Sequence, residues 1–145
     1  MLLAGTFMAV LDFFIVNVAI PGMQQDLHAS DAQIELIVAG YAVAYGSALI
    51  VGSRLGDRLG RKRMFLLGVA LFTTCSAICG LTPNATMLVV ARLAQGLAAA
   101  LLSPQVLAIF GAELGPSAKA HALIAYGFVM GIASVFAQLL GGALI

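Results

Sequence analysis

Three observations predict an all-α integral membrane protein with about five transmembrane helices. The mean hydropathy of the chain is +1.08. Only 9% of its residues are charged, where a soluble domain carries roughly a quarter. The charges are also spaced widely, leaving the apolar stretches Leu36–Ser53, Met64–Ala91, Leu93–Ala112 and Ala122–Ile145. At a rise of about 1.5 Å per residue, each is long enough to cross a hydrocarbon core of about 30 Å.

Met1–Ile20 is a fifth stretch, interrupted only by Asp12. It has no basic leader of the secretory type and is read as a retained span. Turn signals separate the spans: Pro21-Gly22 with the polar run to Ala32, the basic run Arg54–Arg63, Thr82-Pro83-Asn84, and Gly111–His121. The expected helices are 2–21, 34–53, 64–82, 87–110 and 122–144, within one domain covering 1–145.

Orientation follows from the basic residues. Five of the seven Lys and Arg residues fall between Arg54 and Arg63, and Lys119 lies in the fourth connection, while the first and third connections have none. The positive-inside bias therefore puts the second and fourth connections and the N-terminus in the cytoplasm of a cell-membrane protein. No nucleic-acid footprint is present beyond this one short basic run. Cys75 and Cys79, one helical turn apart in an apolar run, read as small packing residues.

Helix 2 carries small residues at every fourth position: Gly40, Ala44, Ala48, Gly52, Gly56 and Gly60. Such a stripe lets another helix backbone approach closely in lipid. Gly96 with Ala100, and Gly127 with Gly131, offer shorter versions in helices 4 and 5.

Two charges lie within spans. Asp12 stands about 15 Å into the first helix, near the bilayer midplane. An ionisable group at that depth is expensive and marks a functional site, and an acid that exchanges its charged for its neutral form suits proton carriage. Asn17 shares this helix but lies about 140° around from Asp12. Arg92 enters helix 4 by about one and a half turns, with Gln95, Gly96 and Ala99 on its face; the alternative is an arginine snorkelling to the outer interface. Pro104 is expected to kink the same helix. His-Glu-x-x-His, Gly-x-Ser-x-Gly and phosphate-cradling loops are all missing from the sequence, so neither an enzyme nor a metal site is expected.

These residues accumulate into a resemblance. "GSRLGDRLGRKRMF", Gly52 to Phe65, resembles the signature between helices 2 and 3 of the major facilitator superfamily, G-x-L-a-D-r-x-G-r-k, through Leu55, Asp57, Arg58, Gly60, Arg61 and Lys62. "LVVARLAQGLAAA", Leu88 to Ala100, is similar to the helix 4 motif, with Arg92, Gln95 and Gly96 in place. "LDFFIVNVAIP", Leu11 to Pro21, resembles the helix 1 motif of the fourteen-helix drug:proton antiporter branch, with Phe14 where threonine is usual. The helix 5 motif ends at Gly141-Gly142, but Ala137 and Gln138 stand where its Gly-Pro belongs.

The resemblance implies most of the N-terminal six-helix half of a transporter with alternating access, seen as a fragment whose C-terminal half is missing. It implies proton-coupled efflux of hydrophobic or cationic small molecules across the lipid bilayer, with the proton gradient as energy source and no cofactor. Asp12, Arg92, Gln95 and Asn17 would couple proton and substrate. Asp57, Arg58, Gly60, Arg61, Lys62 and Glu113 would form a cytoplasmic latch, with Arg61 reaching Glu113 and Asp57 facing a helix N-terminus in the other half. Gly52, Gly56, Gly96, Gly141 and Gly142 would pack helices. Because the helix 5 Gly-Pro is lost, a metabolite symporter stays open as an alternative, as do a small membrane scaffold and a nonfunctional fragment.

Overall fold

In the computed structural model, residues 1–143 are described, and they form five helices: α1 (Leu2–Asp26), α2 (Asp31–Leu59), α3 (Arg61–Leu81), α4 (Ala85–Glu113) and α5 (Pro116–Ala143). Each contains a window long and apolar enough to cross a membrane. The predicted end of the fifth span at residue 144 lies outside the described residues.

The helices overrun the apolar windows at most of their ends, because backbone hydrogen bonding does not stop where hydrophobicity stops. α1 continues through Pro21 to Asp26; a proline inside a membrane helix costs one donor, and neighbouring groups absorb the loss. α2 begins earlier than expected because Ser30 and Gln33 form a reciprocal capping box, which satisfies two otherwise orphaned N–H groups. Asn84 caps α4 by accepting from the Met87 N–H at 2.9 Å. Pro116 opens α5, where its missing N–H costs nothing.

The basic run from Arg54 to Arg63 was expected to be a loop and is instead almost wholly helical. Only Gly60 breaks it, at a φ of 99° that other residues rarely adopt. Arg58 lies in the last turn of α2, where a cation complements the helix dipole.

α4 is the central element: 56% of its most apolar window is buried, against 11–28% for the other four helices. α2 and α3 both pack closely on it, and α5 packs chiefly on α1. The stripe on α2 makes the first of these contacts. The Tyr41 carbonyl and the Ala44 methyl lie against Gly96, and the Ala100 carbonyl occupies the place that a Gly52 Cβ would take. Pro104 has no N–H to return to that carbonyl. Gly52 therefore packs on a backbone oxygen freed by the proline, and Gln105 Nε2 donates back to the Gly52 carbonyl at 2.8 Å. Gly56 fits against the Gln105 amide, and Gly68 of α3 fits against the backbone of Leu102.

Large exposed side chains such as Leu36, Ile50, Ile124, Phe128 and Leu139 cover the outside of the bundle. In water such a surface would aggregate, whereas in a bilayer it meets lipid.

Candidate functional site

The close approach of α2 to α4 places Arg92 inside the bundle rather than at its edge. Arg92 is 2% exposed, which excludes snorkelling. Its Nη1 donates to Asp12 Oδ2 of α1 at 2.5 Å and to Gln95 Oε1 at 2.7 Å. The two intramembrane charges found separately in the sequence thus form one ion pair across 80 positions of chain.

Two α3 residues complete the cluster. The Ser76 hydroxyl donates to Asp12 Oδ1 at 3.2 Å, and the Cys79 thiol donates to Gln95 Oε1 at 3.6 Å. From sequence, Cys79 had been assigned to packing and Ser76 to nothing. Their only advance signal was polarity on the face of α3 toward α1 and α4. The Arg92 guanidinium carbon also lies 4.3 Å from the centroid of the Tyr41 ring, a cation–π distance.

A buried charge needs both a counter-charge and hydrogen bonds to its remaining polar atoms. Arg92 is incompletely served: among the described residues, its Nε and the Nε2 of Gln95 are buried without an acceptor. A cluster that served only to hold helices together would leave fewer donors unpaired. A cavity of 510 Å³ reaches it, running from Asp12, Ser76 and Arg92 to Asp26, Leu27 and Thr82, on the side of the first and third connections. A small ion or polar ligand entering from that side would meet Asp12, whose side chain keeps 15% exposure.

Asn17 does not belong to this cluster. Its amide donates to the Phe13 carbonyl of its own helix at 3.0 Å, and it lines a separate pocket with Asp31 and Glu35. The turn that aims Asp12 inward aims Asn17 away.

At the opposite ends of the helices, Arg61 is held differently from the expectation. It donates to Asp57 Oδ1 from Nε at 3.2 Å and from Nη2 at 3.0 Å, and from Nη1 to the Ala108 carbonyl at 2.8 Å. Among the described residues it makes no ion pair with Glu113. Asp57 is only four residues away, and the α4 backbone satisfies the remaining fork. Glu113 is exposed and shares a pocket with Arg61, Lys62 and Arg63. Arg58 and Lys62 are exposed.

Of the packing glycines, Gly52, Gly56 and Gly96 lie at helix contacts, and Gly141 meets Val18 of α1. The surroundings of Gly142 lie outside the described residues. Without the expected Gly-Pro, α5 runs unbroken, and Ala137 is fully buried.

A second cavity, of 370 Å³, lies between α1, α2, α4 and α5 and is lined by Phe13, Phe14, Tyr41, Tyr45, Tyr126 and Met130 among others. No charged side chain lines it.

The sequence model of the Major Facilitator Superfamily matches residues 2–145. The chain is 38% identical over 144 residues to an uncharacterised MFS-type transporter of Mycobacterium tuberculosis, covering 99% of this chain and 25% of that protein. It is 38% identical over 141 residues to the tetracenomycin C resistance and export protein of Streptomyces glaucescens, covering 97% and 26%. The probable actinorhodin transporter of Streptomyces coelicolor is 38% identical over 144 residues, covering 99% and 25%. The chain spans about a quarter of the length of these curated relatives.

Proposed function

Since the chain belongs to the major facilitator superfamily, a family of multi-pass membrane transporters, we propose that it forms part of a secondary transporter that expels hydrophobic or cationic compounds in exchange for protons. The observation that carries this reading is the Asp12–Arg92 pair at the end of a cavity. Relatives described as export and resistance proteins support the direction of transport.

In this mechanism a proton enters from the side of the first and third connections, taken as the outside, and binds the Asp12 carboxylate. The neutral acid no longer holds Arg92, whose Nη1 keeps its bond to Gln95. The bundle then rocks against the rest of the transporter, and the proton leaves toward the cytoplasm when the guanidinium replaces it as the partner of the carboxylate. The N-terminus is cytoplasmic in this orientation, because the basic run Arg54–Arg63 stays inside. Asp57 and Arg61 act as the latch of the inner face, with Arg61 bridging to the α4 backbone at Ala108 rather than to Glu113.

The test is gradient-driven efflux by the full-length protein in inverted membrane vesicles. Asp12→Asn, which cannot cycle a proton, abolishes efflux against a gradient and leaves gradient-independent substrate exchange in place. Unchanged uphill efflux in that variant would reject the reading. One observation favours a second reading: Ala137 and Gln138 replace the Gly-Pro of the antiporter motif, and α5 is unbroken. Under that reading the protein is a proton-linked symporter, and acidifying the outside drives uptake into cells rather than efflux.

A further inference from the structure

Tyr41 touches both halves of the bundle's interior. One neighbour of its ring is the Arg92 guanidinium, 4.3 Å from the ring centroid. The others are aromatic: Phe13 with centroids 5.7 Å apart, and Tyr45 stacked at 6.3 Å with an interplanar angle of 10°. Tyr41 is 4% exposed, and its backbone carbonyl is pinned against α4 where Gly96 leaves room for it. Its ring therefore stands in the wall between the charged cluster and the aromatic cavity.

The two cavities differ in chemistry. The one at Asp12 and Arg92 has Asp26 near its other end and accepts ions. The one at Tyr45, Tyr126 and Met130 has no charge on its walls and presents ring faces and a thioether. Its 370 Å³ falls within the range of small-molecule sites, about 300–1,000 Å³. Ring faces and a polarisable sulfur favour a flat aromatic ligand, and the missing counter-charge disfavours an ion there.

We propose that this cavity binds an uncharged aromatic ring, and that Tyr41 couples its occupancy to the Asp12–Arg92 pair because ligand and guanidinium compete for the same ring. While Asp12 is charged, it shares the guanidinium with Tyr41. When Asp12 is neutral, Arg92 turns its full charge on the ring and holds it, so the ligand stacks less well. Protonation thereby loosens the aromatic ligand, and by reciprocity the ligand loosens the bond of Arg92 to the ring. This deepens the proposed function, on which its meaning for transport rests, but the coupling is a property of binding alone.

The experiment is equilibrium titration of purified full-length protein with 1-N-phenylnaphthylamine, an uncharged fluorescent aromatic, without any proton gradient. Tyr126→Ala and Met130→Ala weaken binding of the probe if it occupies the aromatic cavity. Asp12→Asn is expected to weaken it by about fivefold when Tyr41 is present. In the Tyr41→Leu background the same substitution changes affinity by less than about twofold, whereas Tyr41→Phe, which keeps the ring, retains the fivefold effect. An equal Asp12→Asn effect in the Tyr41→Leu and native backgrounds would overturn the coupling. Unchanged affinity in Tyr126→Ala and Met130→Ala would overturn the site. Coupled binding without gradient-driven efflux would sink the transport reading and leave this inference standing.

Discussion

Asp12 and Arg92 meet from two helices, with side chains 15% and 2% exposed, whereas Asp57 and Arg61 meet across one turn, 57% and 37% exposed. The chemistry is the same and the surroundings are opposite. Water screens the outer pair and can replace either partner at little cost. The inner pair has lost that recourse, so each charge depends on the other, and any event that neutralises one is felt throughout the cluster of Ser76, Cys79, Gln95 and Tyr41. A proton arriving at Asp57 would change little, while one arriving at Asp12 would release an arginine in a medium of low dielectric.

The sharpest way to break this comparison is to remove one partner of each pair. Arg92→Leu strands the Asp12 carboxylate and is expected to destabilise the folded protein by roughly 3–5 kcal/mol, read as loss of thermal stability in purified full-length protein. The double variant Asp12→Asn/Arg92→Gln, which leaves no charge buried, recovers a large part of that loss. A double variant as unstable as the sum of its single substitutions would mean that the pair contributes packing and not charge balance.

Helix packing gives the next effect. At Gly52 a methyl group would collide with the Ala100 carbonyl, a backbone atom that cannot swing aside, so Gly52→Ala costs about 1–3 kcal/mol. Gly56→Ala costs less, because the obstacle is the end of the Gln105 side chain, which can move at the expense of its bond to Gly52. Gly46 has nothing within 4 Å of its Cβ position. There the substitution is neutral or stabilises by up to about 1 kcal/mol through helix propensity. Equal melting temperatures for Gly52→Ala and Gly46→Ala would refute the α2–α4 contact.

The same contrast explains what was legible in the sequence. Five spans were visible because long apolar windows admit few alternatives, and the stripe from Gly40 to Gly60 marked the packing face of α2. That α4 was its partner was not visible, since a stripe of small residues states how close a helix can come and not which one comes. Asp12 and Arg92 were each conspicuous by their cost. Their pairing depends on the rotation of two helices separated by most of the chain, which hydropathy does not set. Ser76 and Cys79 were passed over because a hydroxyl and a thiol are cheap to bury, so neither stands out until a charged neighbour is known. Helix ends were misjudged where polar residues continued the backbone ladder, although the Ser30–Gln33 capping box was readable in advance.

The smallest expected effect concerns the outer pair. A double-mutant cycle on Asp57 and Arg61 should give a coupling of about 0.3–0.5 kcal/mol, as for exposed pairs one turn apart, and a cycle on Arg61 and Glu113 should give none. Arg61→Lys separates the two jobs of this side chain: lysine can still meet Asp57, but it has no planar fork with which to reach Asp57 and the Ala108 carbonyl together. If the latch works through the bridge to α4, Arg61→Lys slows transport nearly as much as Arg61→Ala while stability hardly changes. If it worked through charge alone, lysine would restore the rate.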